Sequence, residues 1–167
     1  MTDRFPGKHL ALVVDNKDPK KLSRVRVRVP EIFADEETGW CLPCSPYAGA
    51  ANGKGVGLAA VPPEGSLVFV EWPGGGDTTR TPIWSGALWA DGNGVPGASP
   101  DAIVLVTPGG HRIALDDKQG SEKVAIEAKS GAKITLDKNG ALVEFGSSKV
   151  KLTNSAVEIN DGALKVS

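Results

Sequence analysis

The sequence predicts an all-β protein in two parts, an N-terminal barrel followed by a C-terminal stack of short strands. Apolar residues alternate with other residues at a period of two, which is typical of strands. In the last third, the apolar strand positions recur every seven to nine residues, the signature of a repeat. The 21 glycines and 12 prolines indicate a chain with many turns.

The N-terminal half predicts a compact barrel of about five strands. Val25, Val27 and Val29 alternate with three arginines, so the valines should face inward and the arginines outward. The stretch 49–57 is rich in glycine and predicts a long loop. The predicted strands span residues 10–15, 24–29, 40–42, 58–61, 66–72 and 83–89. Strands of this number and length around a long loop are typical of an OB barrel.

The arginine stripe on such a barrel could bind nucleic acid. Binders of single strands, however, stack bases on aromatic side chains, and aromatic residues are 5% of this chain. A formal net charge of -1 also argues against a polyanionic partner. We therefore interpret the arginines as a solvated or intersubunit face and expect no nucleic-acid ligand. The tryptophans are predicted to plug the barrel: Trp40, Trp72, Trp84 and Trp89.

Cys41 and Cys44 form a Cys-x-x-Cys pair that could be a redox motif, half of a zinc site, or two structural residues. A zinc site needs two more ligands, and His9 and His111 stand at no useful spacing. A redox motif needs a helix after the first cysteine, whereas this segment predicts a strand. We interpret the pair as structural, and expect no metal, no cofactor, no catalytic residue and no enzymatic activity.

The last third predicts a ladder of rungs, each a short strand with two or three apolar residues. Turn sequences such as Asn139-Gly140 separate the rungs. The positions predicted to form a buried core are Val124, Ile126, Ile134, Leu136, Val143, Val150, Leu152, Val157, Ile159, Leu164 and Val166. A single chain should leave the side of the strands that carries these residues exposed to solvent, and every strand edge unpaired.

Completion of the ladder therefore needs a partner surface. Further copies of the chain, wound about a common axis, are the simplest partner, and three strips would close a triangular prism. The alternative is a single-chain meander packed on the N-terminal half.

Several segments resemble the spike proteins of contractile tails. Residues 10–19, which end in Asn16-Lys17-Asp18-Pro19, resemble the opening strand and Asn-x-Asp-Pro turn of their OB domain. Residues 23–30 resemble the following Gly-Arg-Val-x-Val strand, with Ser23 in place of glycine, and residues 61–72 and 77–89 resemble the later strands. Residues 104–115 resemble the entry into the C-terminal β-helix. This group includes phage baseplate assembly protein V and the VgrG spikes of type VI secretion.

The resemblance implies an OB-fold domain over residues 1–90, a linker over 91–102 and a β-helical needle over 103–167 in which three chains intertwine as a homotrimer. It implies a structural spike without the lysozyme domain of larger hub spikes. The barrel would seat on the baseplate hub or tail tube, and the needle would pierce the target envelope. A PAAR-repeat-type tip protein would bind the C-terminal residues Leu164, Lys165, Val166 and Ser167.

The start of the chain shows no apolar stretch of the signal-peptide type. We therefore expect synthesis in the cytoplasm and assembly into a phage virion, a tailocin or an extracellular contractile particle. The alternative interpretation is an OB-fold module that binds oligosaccharide or single-stranded nucleic acid and carries a β-rich oligomerisation tail.

Overall fold

The structure is a computed structural model that describes residues 4–166. The chain divides into two compact units between Asn93 and Gly94. We call the first the barrel unit and the second the ladder unit. Strands dominate both units, as the sequence predicts.

The barrel unit is built on one five-stranded sheet with the order β2-β1-β6-β7-β3. The strands of the unit are β1 (His9–Asp15), β2 (Arg26–Arg28), β3 (Leu42–Pro43), β4 (Ala48–Ala51), β5 (Lys54–Gly57), β6 (Leu67–Glu71) and β7 (Ile83–Leu88), of which β4 and β5 form a separate two-stranded sheet. One short helix, α1 (Pro30–Phe33), follows β2, and Pro73–Gly76 is a turn whose three glycines have positive φ. Val25, next to β2, bridges Cys41, next to β3, through backbone N–H···O bonds of 3.3 and 2.8 Å. The two edges of the sheet therefore meet, and the sheet closes into a barrel.

Small β-branched side chains fill the barrel because a ring of so few strands encloses little space. The fully buried side chains are Val13, Val25, Val27, Val29, Cys41, Val68 and Val70. Trp72 and Trp84 pack against them as predicted, and Trp84 Nε1 donates a hydrogen bond of 3.1 Å to the Ser23 carbonyl. The prediction that Trp89 also plugs the barrel is wrong. This side chain is 72% exposed because it follows the last residue of β7, where the chain leaves the sheet.

The segment predicted as a long loop is instead a β-hairpin of β4 and β5. Its two-residue turn is Asn52-Gly53, and both residues have positive φ, 51° and 72°, as a type I′ turn requires. The predicted strand over 58–61 is also wrong. The Leu58 N–H bonds to the Tyr47 carbonyl at 2.8 Å at the base of the hairpin, and the prolines that follow residue 61 have no N–H to offer a sheet.

Asp18 organises the turn that connects β1 to β2. Its carboxylate accepts hydrogen bonds from the backbone N–H groups of Lys20 at 2.9 Å and Leu22 at 2.7 Å, and from Arg24 Nε at 3.0 Å. The Arg24 guanidinium also lies 5.4 Å from the ring centroid of Trp40. The hydrogen bond from Arg24, followed by those from the backbone, holds the pKa of Asp18 well below its ordinary value.

The ladder unit is one eight-stranded antiparallel sheet in which the strands follow each other in chain order. They are β8 (Ala102–Val106), β9 (Arg112–Asp116), β10 (Lys123–Glu127), β11 (Lys133–Asp137), β12 (Gly140–Phe145), β13 (Ser148–Leu152), β14 (Val157–Ile159) and β15 (Leu164–Val166). The six rungs predicted after residue 123 are confirmed as strands. The expectation that one chain leaves every strand edge unpaired is wrong, because short turns place successive rungs side by side, where they form hydrogen bonds with each other.

Asp18→Asn is expected to lower the thermal unfolding midpoint, because the neutral amide cannot match the charged hydrogen bonds to Arg24 and the turn. In the wild type this stabilisation is complete above the pKa of an unfolded aspartate, about 3.9. It is lost as the pH falls through the depressed folded pKa. Thermal scans between about pH 2 and about pH 7 should therefore show the difference from wild type shrinking in acid.

Glu64→Gln is the matched control, since it removes an exposed ion pair with Lys17 of 3.2 Å. It should change the free energy of unfolding by less than about 0.5 kcal/mol. Equal effects of the two substitutions would contradict the role assigned to Asp18.

Candidate functional site

One side of the ladder sheet is a continuous apolar surface, which we call the apolar face. Residues paired directly across an antiparallel sheet lie on the same side, so the register defines two columns among the side chains that the structure describes, one that crosses β8–β14 and one that crosses all eight strands. The first column holds Ile103, Leu115, Val124, Leu136, Ala141, Leu152 and Val157. The second holds Leu105, Ile113, Ile126, Ile134, Val143, Val150, Ile159 and Leu164. Every member of both columns is apolar.

The apolar face is open to solvent in a single chain. Thirteen of its large side chains are exposed, from 37% for Val150 to 71% for Ile103. A soluble monomer rarely exposes so extended an apolar patch. Covering a half-exposed Ile or Leu contributes about 1 kcal/mol, so the whole face can offset an association cost of about 4–15 kcal/mol. The geometry therefore points to burial against another surface.

The predicted core residues whose side chains the structure describes all lie in the two columns, from Val124 to Leu164. Their burial between chains stays a prediction. Of the four residues predicted to bind a tip protein, Leu164 is 56% exposed on this face. The side chains of Lys165 and Val166, and the whole of Ser167, lie outside the described residues.

Sequence reasoning missed the contribution of β8 and β9 to the apolar face. Ile103 and Leu105 lie in the unbroken apolar run of β8, where a period of two cannot be seen. Ile113 and Leu115 do alternate along β9 and could have been found by the same period as the later rungs. The face therefore begins about twenty residues earlier than the predicted core.

The opposite side of the ladder sheet, the polar face, carries mixed charges. One outer column of this face alternates in charge from strand to strand: Arg112, Glu127, Lys133, Glu144 and Lys149. Glu127 lies 3.6 Å from Arg112 and 3.3 Å from Lys133 across the strands. Asp161 lies 2.9 Å from Lys149, and its hydrogen bond raises the pKa of that ammonium group. Neutralised pairs of this kind suit a solvated surface.

The two cysteines are free thiols in different environments. Cys41 is fully buried, its Sγ lies 3.3 Å from Thr38 Oγ1, and burial raises the pKa of the thiol to about 11. Such a thiol is protonated near neutral pH and is a poor nucleophile. Cys44 is exposed. Within residues 4–166, no group of three or more His, Cys, Asp or Glu side chains could hold a metal ion.

The arginine stripe is paired rather than free. Arg24 binds Asp18, and Arg26 lies 3.1 Å from Glu37, which also lies 4.0 Å from Arg28. Two of the three arginines share the one carboxylate of Glu37, so these pairs lower the positive charge of the stripe without cancelling it. Across the described part of the chain, helices are too short or too polar to cross a membrane.

Comparison with protein families places both units in one class, that of injector spikes. Residues 9–89 match the type VI secretion system/phage-baseplate injector OB domain. Residues 102–165 match the phage baseplate V C-terminal trimerisation domain. No curated protein matches the chain.

The chain belongs to the phage baseplate V family of spike proteins, with an injector OB domain followed by a trimerisation domain. The all-β fold predicted from the sequence is confirmed. The trimerisation domain supports a homotrimer, and its match spans nearly all of the ladder unit that bears the apolar face. The family places the protein in a phage baseplate or a type VI secretion machine.

Ile134→Asp is expected to prevent trimer formation, because it places a carboxylate between Ile126 and Val143 in the middle of the apolar face. An unpaired buried charge costs several kcal/mol in each copy. Light scattering coupled to size-exclusion chromatography should report a monomer of about 17.3 kDa.

Thr135→Asp introduces the same side chain one residue later, on the polar face, and should leave the trimer intact. Circular dichroism should show the strand content of the wild type for Thr135→Asp, whereas Ile134→Asp should lose the strand signal of the ladder unit, which has no core without its partner copies. An intact Ile134→Asp trimer would contradict the assignment of the apolar face as the association surface.

Proposed function

We propose that this protein is the structural central spike at the tip of a contractile injection machine: a phage tail, a tailocin or an extracellular contractile injection system. The observation that carries the proposal is the apolar face on a domain that matches a trimerisation domain. A spike needs a rigid shaft, and three identical sheets with one apolar side each can supply it.

In the proposed trimer, the apolar faces of three chains meet about a common axis and form the dry core of a needle. The two columns, with side chains such as Ile126 and Ile134, interdigitate across the threefold axis, and the polar faces point outward to water. Eight strands spaced by about 4.8 Å give a needle about 34 Å long. The chains twist about each other because β-sheets have an intrinsic right-handed twist.

The role of the needle is mechanical, and the protein is not an enzyme. Axial force from sheath contraction is concentrated on the small area of the tip, which pierces the target envelope. Hydrogen bonds between successive rungs run along the needle, so a compressive force is carried by an unbroken series of hydrogen-bonded strands. Burial of the apolar face resists separation of the chains, because all the rungs of one chain must lose contact together.

The barrel unit is proposed to seat on the baseplate hub or tail tube, as the description of its family as an injector OB domain suggests. At the other end of the chain, β15 is an edge strand of the sheet that the described residues form. An exposed strand edge favours pairing or coverage by another protein. A PAAR-repeat-type tip protein is the proposed cap. We further propose that the chain is made in the cytoplasm and then assembled into the particle.

The absolute mass in solution tests the trimer most directly. Light scattering after size-exclusion chromatography should give three times 17.3 kDa, about 52 kDa. A monomeric mass at micromolar concentration would exclude the needle, since its apolar faces would then remain in water.

Removal of residues 164–167 tests the cap. The truncated chain should keep the mass of a trimer, because the remaining rungs retain most of the apolar face. It should fail to co-elute with a PAAR-repeat tip protein from the same injection machine, whereas full-length protein should bind it. Lys138→Ala, in the turn between β11 and β12, is the control and should bind normally. Undiminished binding by the truncated trimer would contradict the proposed cap site.

A further inference from the structure

The barrel sheet carries a second apolar surface that its own core does not use. Along β1, Ala11 and Val13 point into the barrel, so Leu10 and Leu12 point outward. The register places other apolar residues beside them on the neighbouring strands, pairing Leu10 with Phe69, Leu12 with Leu67, and Leu67 with Leu88. We call these five residues, Leu10, Leu12, Leu67, Phe69 and Leu88, the outer patch.

The five side chains of the outer patch are uncharged and partly open to solvent, with Leu12, Leu67 and Phe69 half-buried between the two more exposed leucines. Leu10 is 43% exposed and Leu88 is 42% exposed. The bordering residue on β2 is Arg28, which pairs with Leu12 and lies 4.0 Å from the carboxylate of Glu37. Glu71, two residues after Phe69 on β6, lies at the edge of the same side of the sheet. An apolar centre with a charged rim is the usual composition of a surface that contacts another protein.

The chain itself indicates which surface this is. Leu88 ends β7, and Trp89 follows it with 72% of its surface exposed. The trimerisation domain begins with β8 at Ala102, so only twelve residues, 90–101, lie between Trp89 and that domain. Fully extended, they span at most about 40 Å. The outer patch is therefore continuous in sequence with an interface that gathers three copies.

A tether of this length raises the effective concentration of the three barrel units to the millimolar range. A patch of five side chains is too small to hold free barrels together, but it can be occupied when the barrels are tethered. Contacts between copies of one chain are also more apolar than contacts between independently folded partners. Both arguments favour a second copy of this chain over a separate protein.

We propose that the outer patches of the three barrel units pack against one another about the threefold axis. The inference rests on the homotrimer of the proposed function and goes beyond it, because trimerisation of the ladder alone would leave the barrels as independent bodies. With the patches in contact, the barrels form one collar. A collar presents a single threefold surface to the hub and transmits load as a unit.

Site-directed spin labelling of the full-length chain tests the collar. Cys44→Ser removes the exposed thiol, and the buried Cys41 is retained. Leu10→Cys and Leu88→Cys place labels at two positions of the outer patch, and Lys17→Cys, on a side chain 83% exposed outside it, is the control. Leu10 and Leu88 are partly exposed, so neither substitution opens a core cavity.

The patch labels should be immobilised and should show spin–spin interactions between copies, and a short bis-maleimide should join these cysteines into covalent dimers. The Lys17 label should be mobile and its cysteine should not cross-link. The mass of each labelled protein, measured by light scattering, separates the two levels of the proposal. A trimer with mobile, uncross-linked patch labels would overturn the collar and leave the spike intact. A monomer would overturn both.

Discussion

The structure depends on the burial of one apolar surface that a single chain cannot cover. Within the ladder unit, successive rungs pair with each other, so the backbone hydrogen bonds of the inner strands are complete in one copy. Hydrophobic burial is not complete, because both columns of the apolar face lie on one side of a single layer, and a sheet needs a second layer to form a core. A single chain can therefore form the backbone hydrogen bonds of the ladder, whereas its hydrophobic core forms only when several chains assemble.

The barrel unit satisfies both requirements by itself. Closure of the sheet through the Val25–Cys41 bridge removes free edges, and the valines of β1, β2 and β6 fill the interior. The turn at Asp18 fixes the connection between the first two strands with charged hydrogen bonds. A spike can use this difference, since a unit that folds alone can carry the surfaces for other baseplate proteins while the dependent unit enforces the threefold symmetry. The outer patch is the place where that symmetry can extend to the barrel.

Several elements show why prediction from the sequence succeeded for the ladder and was weaker for the barrel. A period of two identifies which residues share a face in a regular strand, so Ile134 and Val143 could be assigned to the same surface before any pairing was known. The hairpin of β4 and β5 has no such period, because alanine and glycine fill it, although Asn52-Gly53 is a hairpin signal in its own right. Trp89 shows that the burial of a bulky residue cannot be predicted from its type alone, since its exposure depends on where β7 ends.

The sequence by itself determined the all-β class, the division into two parts and the membership of the apolar face from Val124 onward, because these follow from local alternation and turn chemistry. Only the tertiary structure decided the rest. Which strands pair, how the barrel closes at Val25 and Cys41, and which tryptophans are buried depend on contacts between residues far apart in the chain. So does the outer patch, because Leu10, Phe69 and Leu88 are brought together by strand order. Alternation shows that a strand has two sides, but only the neighbouring strands decide which side is covered.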